Sequence, residues 1–175
     1  ANIISNIADE VVTIDPHKEY ILDFFSIPAK SVTAIPSIVS YLKGKNIDLV
    51  LAPDHGALER AKKAAKLLNC DVDYLEKTRI DGNTISIKPK NIDAKKKSVA
   101  IVDDIISTGG TMAEAIKQLH KQEVKNIYVA CTHGLFAGSA IEKLHEAGCN
   151  DIISTDTIQT QYSKVSVSSV LSDFF

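Results

Sequence analysis

Residues 98–111 have the sequence SVAIVDDIISTGGT, in which an apolar run leads into two acids and then into a hydroxyl-rich and glycine-rich segment. We predict a buried strand over Ser98–Val102 and a helix that begins at about Thr111. Glycines let backbone N–H groups approach a ligand closely, and the N-terminus of a helix attracts anions. The stretch therefore predicts a strand, an anion-binding turn and a helix.

The two acids, Asp103 and Asp104, complement the predicted phosphate turn. A carboxylate accepts two hydrogen bonds at once, which suits the neighbouring hydroxyls of a ribose. Diol acceptors and a phosphate cradle only a few residues apart fit one pentose 5-phosphate. The alternative is a capped turn with solvated acids, but this stretch holds more polar groups than a cap needs. The predicted phosphate-binding residues are Ser107, Thr108, Gly109, Gly110 and Thr111.

Strands and helices alternate on both sides of this unit. The predicted strands cover residues 11–14, 48–52, 72–75, 98–102, 126–131 and 151–154. The predicted helices cover residues 35–43, 57–69, 111–122 and 138–147, and a strand and short helix could fill 164–175. Residues 77–97 are polar and predict a long loop or hairpin. This alternation predicts a single doubly wound α/β domain with a mainly parallel sheet, in which ligands bind beyond the carboxyl ends of the strands.

A second anion-accepting helix start is predicted at Asp54, His55 and Gly56, which follow a strand. A carboxylate beside a polyphosphate usually means that Mg²⁺ lies between them, because two anions otherwise repel each other. Taken alone, Asp54 is better explained as the N-cap of the helix that follows.

Three further positions follow predicted strands. His17 could be a ligand, although taken alone it fits a polar loop residue better. Lys77 and Arg79 are spaced to point the same way and could close on a transferring phosphoryl group, but a solvated basic stretch is the simpler explanation of that segment alone. His133 could line the site or an interface, and the sequence does not separate the two.

The composition excludes several classes of protein. The 175 residues are 45% hydrophobic and 24% charged, with a net charge of −2, as in ordinary globular domains. That charge implies no general affinity for nucleic acid or for anionic membranes. No apolar run approaches the roughly 20 residues of a membrane span. The three cysteines are far apart and predict neither a disulfide framework nor a zinc site. The expected location is the cytoplasm.

Taken together, these segments resemble ribose-phosphate diphosphokinase, the family also called phosphoribosyl pyrophosphate (PRPP) synthetase. The resemblance covers essentially the whole chain. The Asp103–Thr111 motif alone would fit any type I phosphoribosyltransferase, and the full set is more specific. The segments that carry it are Asp15-Pro16-His17 with Asp23–Pro28, Pro53–Ala57, Lys77-Thr78-Arg79, Val102–Thr111, Thr132–Phe136 and Thr155–Ile158.

The resemblance implies a type I phosphoribosyltransferase-like fold and a specific reaction. The C1 hydroxyl of ribose 5-phosphate attacks the β-phosphorus of ATP, which gives PRPP and AMP. It implies that His17 and Asp54 bind Mg²⁺, that Asp54, His55 and Gly56 contact the ATP phosphates, and that Lys77 and Arg79 stabilise the transferring group. It further implies that the ribose 5-phosphate is held by Arg79, Asp103, Asp104, Ser107, Thr108, Gly109, Gly110 and Thr111.

Members of this family are longer and consist of two similar halves. Residues 1–175 resemble the C-terminal half, so we expect one phosphoribosyltransferase-like domain without the N-terminal half. The expected partners are ribose 5-phosphate and ATP, with assembly as a homo-oligomer or with the missing half. Two alternatives stay open: a phosphoribosyltransferase that uses a nucleobase, and a non-catalytic regulatory relative.

Overall fold

A seven-stranded sheet forms the centre of the molecule, and a two-stranded sheet lies beside it. The computed structural model describes residues 1–79, 85–89 and 93–174, and describes residues 76–79, 85–89 and 173 by their backbone alone. The strands are β1 Val11–Ile14, β2 Ala29–Val32, β3 Leu49–Ala52, β4 Asp71–Arg79, β5 Ile85–Pro89, β6 Ser98–Ile106, β7 Asn126–Gly134, β8 Asp151–Thr155 and β9 Ser163–Val165.

The large sheet has the strand order β5-β4-β3-β6-β7-β8-β9. Neighbouring strands run parallel, except that β5 pairs antiparallel with β4. The prediction of a mainly parallel sheet is therefore confirmed. The carboxyl ends of β3, β6 and β7 lie side by side near the middle of this order, where a ligand site is expected.

Helices connect the parallel strands. They are α1 Asn2–Ser5, α2 Ile35–Leu42, α3 Leu58–Leu68, α4 Gly110–His120, α5 Ala140–Ala147 and α6 Ser168–Leu171. Short 3₁₀ turns cover Glu19–Phe24, Lys43–Lys45, His55–Ala57 and Ser172–Phe174. Of the helices described here, none combines the length and the apolar character needed to cross a membrane.

Two buried clusters cover the two faces of the sheet. Leu49 and Leu51 of β3 belong to the cluster that includes residues of α4 and α5. Val50 and Ala52 belong to the opposite cluster, with residues of α2 and α3. Successive side chains of a strand point to opposite faces, so this single strand supplies both layers. The helices on both faces establish the doubly wound architecture.

Strands β4, β6 and β7 extend three or four residues beyond their predicted ends, and β8 extends one residue beyond its own. Strand β6 continues to Ile106 because Ile105 and Ile106 prolong the apolar run and pair with β7. Asp103 and Asp104 therefore lie on the strand rather than after it. Strand β4 extends to Arg79 and forms a hairpin with β5, so the hairpin alternative for this segment is confirmed and Lys77 is part of a strand.

The sequence did not predict β2. This strand is short and half polar, with neither an apolar run nor clear alternation. It pairs in parallel with β1, Val11 opposite Ala29 and Ile14 opposite Val32. The small sheet fixes the direction in which the chain leaves β1, and the segment that follows carries His17.

Candidate active site

His17 follows strand β1 and lies near the carboxyl end of β6, a strand of the large sheet. His17 Nδ1 lies 2.9 Å from Asp104 Oδ2, although the two residues are 87 positions apart. The side chain of His17 is 72% exposed, whereas that of Asp104 is 6% exposed. A histidine whose Nδ1–H donates to a carboxylate presents its Nε2 lone pair outward, which is a common arrangement around bound metals.

Arg60 of α3 joins both acids of the predicted diol site. Its guanidinium nitrogens lie 3.6 Å from Asp103 Oδ1 and 3.3 Å from Asp104 Oδ2. The Arg60 side chain is only 16% exposed, so this is a largely buried cluster of one cation and two carboxylates. Two adjacent carboxylates would otherwise repel each other, and the guanidinium offsets that repulsion.

The two acids differ in acidity. Burial, together with the negative charge of Asp104, raises the pKa of Asp103 to about 7. Burial would also raise the pKa of Asp104, but the Arg60 charge and the hydrogen bond from His17 outweigh it and hold that pKa below its usual value. The pair therefore carries one firmly ionised carboxylate and one that takes up a proton near neutral pH.

The turn after β6 has the geometry of an anion site. Gly109 adopts a φ of +72°, and the N–H groups of Gly110, Thr111 and Met112 begin α4 without a protein acceptor among the described residues. Free N–H groups at the start of a helix are donors for a phosphate. Two neighbouring groups hold the turn in place: the backbone N–H of Ala137 donates to the Ser107 carbonyl, and the side chain of Lys143 donates through Nζ to the Thr108 carbonyl.

Asp54 caps the turn that follows β3. Its Oδ1 accepts from Gly56 N–H at 2.8 Å and from Ala57 N–H at 3.2 Å. The structural explanation of Asp54 from sequence is therefore confirmed as its local role. His55 is exposed, and its ring meets Tyr74 of β4 edge to face at 5.7 Å between centroids.

Two adjoining cavities place these residues around common space. A cavity of about 660 Å³ is lined by residues that include His17, Asp54, Arg60, Asp103 and Asp104. A smaller cavity of about 190 Å³ is lined by the turn residues 107–111. Asp54 and Asp103 line both cavities, which makes the two spaces neighbours.

The structure brings together most of the predicted site residues. His55 and Gly56 line the larger cavity with His17 and Asp54, and residues 107–111 line the smaller one. The side chains of Lys77 and Arg79 lie outside the described part of the chain. Their backbone lies on β4, beyond Tyr74, which pairs with the last residue of β3.

The sequence assigns no definite role to two neighbours of the site. Arg60 lies inside α3, a helix that the sequence predicts from the spacing of its apolar residues. A usable signal existed, because only two of the 20 lysine and arginine residues are arginine. His133 was recognised without a role, and the structure places it behind the Asp15-Pro16-His17 segment, where its Nε2 lies 3.0 Å from the Ile14 carbonyl oxygen.

The donor set for a metal is small. Among the side chains that the structure describes, no three His, Cys, Asp or Glu residues are grouped so that they could hold a metal ion by themselves. His17 and Asp54 nonetheless line the same cavity. Mg²⁺ commonly binds through one or two protein groups and completes its octahedral shell with water and substrate phosphates. The residues present therefore fit a metal that arrives with a phosphate ligand.

The chain is similar in sequence to known proteins. The phosphoribosyl transferase domain family matches residues 28–169. The chain is 43% identical over 173 residues to ribose-phosphate pyrophosphokinase 2 of Archaeoglobus fulgidus, a match that covers 99% of this chain and 63% of that protein. It is 39% identical over 171 residues to ribose-phosphate pyrophosphokinase of Methanopyrus kandleri, covering 95% of this chain and 58% of the relative.

Solved structures agree in fold. Phosphoribosylpyrophosphate synthetase from Mycobacterium smegmatis superposes with a TM-score of 0.82 at 26% identity, covering 99% of this chain and 60% of that one. Purine phosphoribosyltransferase from Pyrococcus horikoshii gives a TM-score of 0.54 at 19% identity, covering 88% of this chain and all of that one, and shows likeness of fold alone. The chain thus spans less than two thirds of the length of the curated relatives described here.

Proposed function

The chain belongs to the phosphoribosyl transferase domain family, and from this we propose that it provides the ribose 5-phosphate site of a ribose-phosphate pyrophosphokinase. The reaction would transfer the diphosphoryl group of ATP to the C1 hydroxyl of ribose 5-phosphate. The hydroxyl oxygen bonds to the β-phosphorus, the bond between that phosphorus and the α,β-bridging oxygen breaks, and the hydroxyl proton is released. The products are PRPP and AMP.

The adjacency of the two cavities carries this proposal. Asp103 lines both the cavity of the acids and the cavity of the turn. One pentose phosphate would set its ring hydroxyls against Asp103 and Asp104 and its 5-phosphate in the turn of residues 107–111. Carboxylates accept from hydroxyls and free N–H groups donate to phosphate, so each end of the sugar meets the complementary partner.

The C1 end of such a sugar would lie toward His17 and Asp54. We propose these two residues as the protein ligands of Mg²⁺, with oxygen atoms of the nucleotide completing its coordination. When bound, the ion supplies charge neutralisation to the phosphate chain. Asp104 would orient the His17 ring through the 2.9 Å contact at Nδ1, while His55 and Gly56 approach the phosphates from the start of α3.

Strand β4 supports catalytic roles for Lys77 and Arg79. The pairing between β3 and β4 ends with Ala52 opposite Tyr74, and both Tyr74 and Leu75 line the larger cavity. Residues 76–79 therefore continue past the end of β3. Positive charge there would stabilise the transferring group, and Arg79 would also contact the sugar phosphate. Phosphoryl transfer relies on such positioning and charge more than on covalent chemistry.

The relatives are longer than this chain, which suggests that other parts of the protein complete the active site. We propose that adenine binding depends on a further part of the protein, as a second half or through association with other copies. The cytoplasm is the proposed location. The chain described here would then bind ribose 5-phosphate by itself, and it would catalyse the diphosphoryl transfer only in the complete assembly.

Calorimetry of ribose 5-phosphate binding tests the proposed sugar site. Asp103→Asn removes a carboxylate acceptor and Thr111→Val removes a hydroxyl donor at nearly unchanged volume. We expect each to weaken binding at least about tenfold, since hydrogen bonds to charged groups contribute about 1.5–3 kcal/mol. The control is Asp71→Asn, an acid that pairs with Lys97 where β4 begins, at the opposite edge of the sheet.

Unchanged affinity in both site variants would contradict the assignment. Product assays with PRPP and a purine or pyrimidine base, run beside assays with ribose 5-phosphate and ATP, separate the pyrophosphokinase from a base-utilising phosphoribosyltransferase. PRPP-dependent nucleotide formation by the assembled protein would favour the latter.

Lys77→Ala tests the proposed catalytic strand in a protein of the full length of the relatives. We expect turnover to fall by about 10²-fold or more, because a cation that stabilises transition-state charge contributes several kcal/mol. Affinity for ribose 5-phosphate should stay near that of the parent protein. Lys66→Ala on the exposed part of α3 is the control. An equal loss of turnover and of sugar affinity would assign Lys77 to substrate binding instead.

A further inference from the structure

We propose that His133 is a positioning residue that holds the Asp15-Pro16-His17 segment and thereby sets the place and tautomer of His17. The inference rests on the proposed function only where it treats His17 as a ligand of Mg²⁺. The arrangement of the segment itself follows from contacts within the chain. Strand β7 supplies those contacts, in addition to its place in the sheet.

In the first contact, one ring nitrogen of His133 lies near two backbone carbonyl oxygens. Its Nε2 lies 3.0 Å from the Ile14 carbonyl oxygen and 3.3 Å from the Asp15 carbonyl oxygen. Both neighbours are acceptors, so Nε2 must carry the hydrogen. The histidine thus donates to the last residue of β1 and to the first residue of the segment that leads to His17.

The other ring nitrogen of His133 contacts a threonine hydroxyl. Its Nδ1 lies 2.9 Å from Thr157 Oγ1, while the Thr132 carbonyl oxygen lies 2.7 Å from Thr155 Oγ1. Each threonine hydroxyl has a single hydrogen to donate. Thr157 Oγ1 also lies 3.0 Å from the Thr132 carbonyl oxygen and 3.0 Å from Thr155 Oγ1, so the hydroxyl that meets Nδ1 is itself fixed by β7 and by Thr155.

A second attachment reaches the same segment from the neighbouring residue of β7. Thr132 Oγ1 donates to Asp15 Oδ2 at 2.6 Å, and Ala34 N–H donates to the same oxygen at 2.9 Å. Asp15 is 8% exposed and has a φ of +38°, which is uncommon for a residue with a side chain. Such a conformation persists where its surroundings hold it, and here the surroundings are β7 and the start of α2.

The consequence for His17 is a defined approach to β6. Pro16 restricts the backbone between the held residue and His17. His17 then meets Asp104, and β7 lies directly beside β6 with His133 paired to Ile105. One strand fixes the backbone that carries the histidine, and the adjacent strand supplies the carboxylate that orients its ring.

Nitrogen-15 NMR of the histidine rings tests the proposal without any ligand. At a pH where imidazole is neutral, His17 of the parent protein should show its hydrogen on Nδ1, shared with Asp104. His133→Leu removes the donor, and His17 should shift to the spectrum of a free imidazole, in which Nε2–H predominates. His133→Gln can donate to the same carbonyls and should restore the parent spectrum. Thr157→Val should give a smaller shift in the direction of the leucine variant.

The matched control is His120→Leu. His120 also places Nε2 against a carbonyl oxygen, that of Gly148 at 3.1 Å, but at the end of α4 remote from the turn. Its loss should leave His17 unchanged. An unchanged His17 spectrum in both His133→Leu and Thr157→Val would overturn the proposal. If the leucine variant does not fold, the Thr157→Val spectrum decides.

Binding of Mn²⁺ together with a non-hydrolysable ATP analogue, in a protein of the relatives' full length, separates this inference from the proposed function. We expect His133→Leu to weaken Mn²⁺ binding about tenfold, as outer partners of metal ligands commonly do. Ribose 5-phosphate affinity should be unchanged. A parent protein that binds no Mn²⁺, but whose His17 signals respond to His133→Leu, would refute the metal role and retain the positioning role.

Discussion

Replacement of Arg60 by leucine is expected to lower the free energy of unfolding by about 3 kcal/mol at neutral pH, since it leaves buried carboxylates without their cation. Arg60 lies within 3.6 Å of Asp103 and within 3.3 Å of Asp104. Denaturant unfolding of the parent and variant proteins measures the difference. The double variant Arg60→Leu with Asp104→Asn should recover part of the loss, because it removes the charge that the arginine balanced.

The pH dependence of this loss has a defined sign. The pKa of Asp104 is held low in the folded protein, so its ionised form contributes stability that is lost as pH falls below the usual range of a carboxyl. The pKa of Asp103 is raised to about 7, so its ionisation destabilises the folded protein as pH rises toward and through that value. Without Arg60 the pKa values of both acids rise. At lower pH the two carboxyls of the variant are protonated, and the destabilisation caused by their unbalanced charge is relieved. The difference in stability should therefore shrink from pH 7.5 toward pH 5.

The control for Arg60→Leu is Lys62→Leu on the same helix. Lys62 pairs with Glu59 in an exposed i,i+3 contact. Exposed pairs contribute little to stability, so this variant should unfold almost as the parent does. A loss for Arg60→Leu as small as that for Lys62→Leu would show that the acids do not depend on the guanidinium.

Gly109→Ala is expected to weaken ribose 5-phosphate binding on the order of a hundredfold, since a small misplacement of binding groups can cost that much. A Cβ atom at Gly109 would lie 3.0 Å from the Ala140 carbonyl oxygen and 3.2 Å from its Cα. The φ of +72° adds strain, because alanine in a left-handed conformation costs about 1–2 kcal/mol. The turn must therefore shift away from α5, and its N–H groups shift with it.

Two other glycines serve as controls for Gly109→Ala. A Cβ atom at Gly110 would meet nothing within 4 Å, so Gly110→Ala should keep the parent thermal stability. Gly44 is equally open and lies in the turn after α2, so Gly44→Ala should keep the parent affinity. Parent-like sugar affinity in Gly109→Ala would show that the phosphate does not use this turn.

The sequence was informative where function depends on local order. Residues 103–111 follow one another in the chain, so the acids and the turn could be recognised as one motif. The α/β class followed from the alternation of elements. Asp54 shows the limit of such reasoning, because an N-cap and a metal ligand have the same sequence signature and only the cavity shared with His17 favours both roles together.

The rest depended on contacts between distant segments. Arg60 and His133 acquire their roles from Asp103, Asp104 and Asp15, and no local pattern connects these positions. Strand β2 was missed because its pairing with β1, rather than an apolar pattern, makes it a strand. Asp103 and Asp104 were placed after β6 because acids usually end a buried strand, whereas here Arg60 makes their burial tolerable.

The separation of these contacts along the chain has a consequence for biosynthesis. His17 meets Asp104 across 87 positions, and Asp15 meets Thr132 across 117. Contacts this distant form late, because the intervening segment must first be ordered. During translation Asp15 cannot meet Thr132 before β7 has left the ribosome, so a nascent chain that stops earlier would lack the contacts that hold the segment before His17.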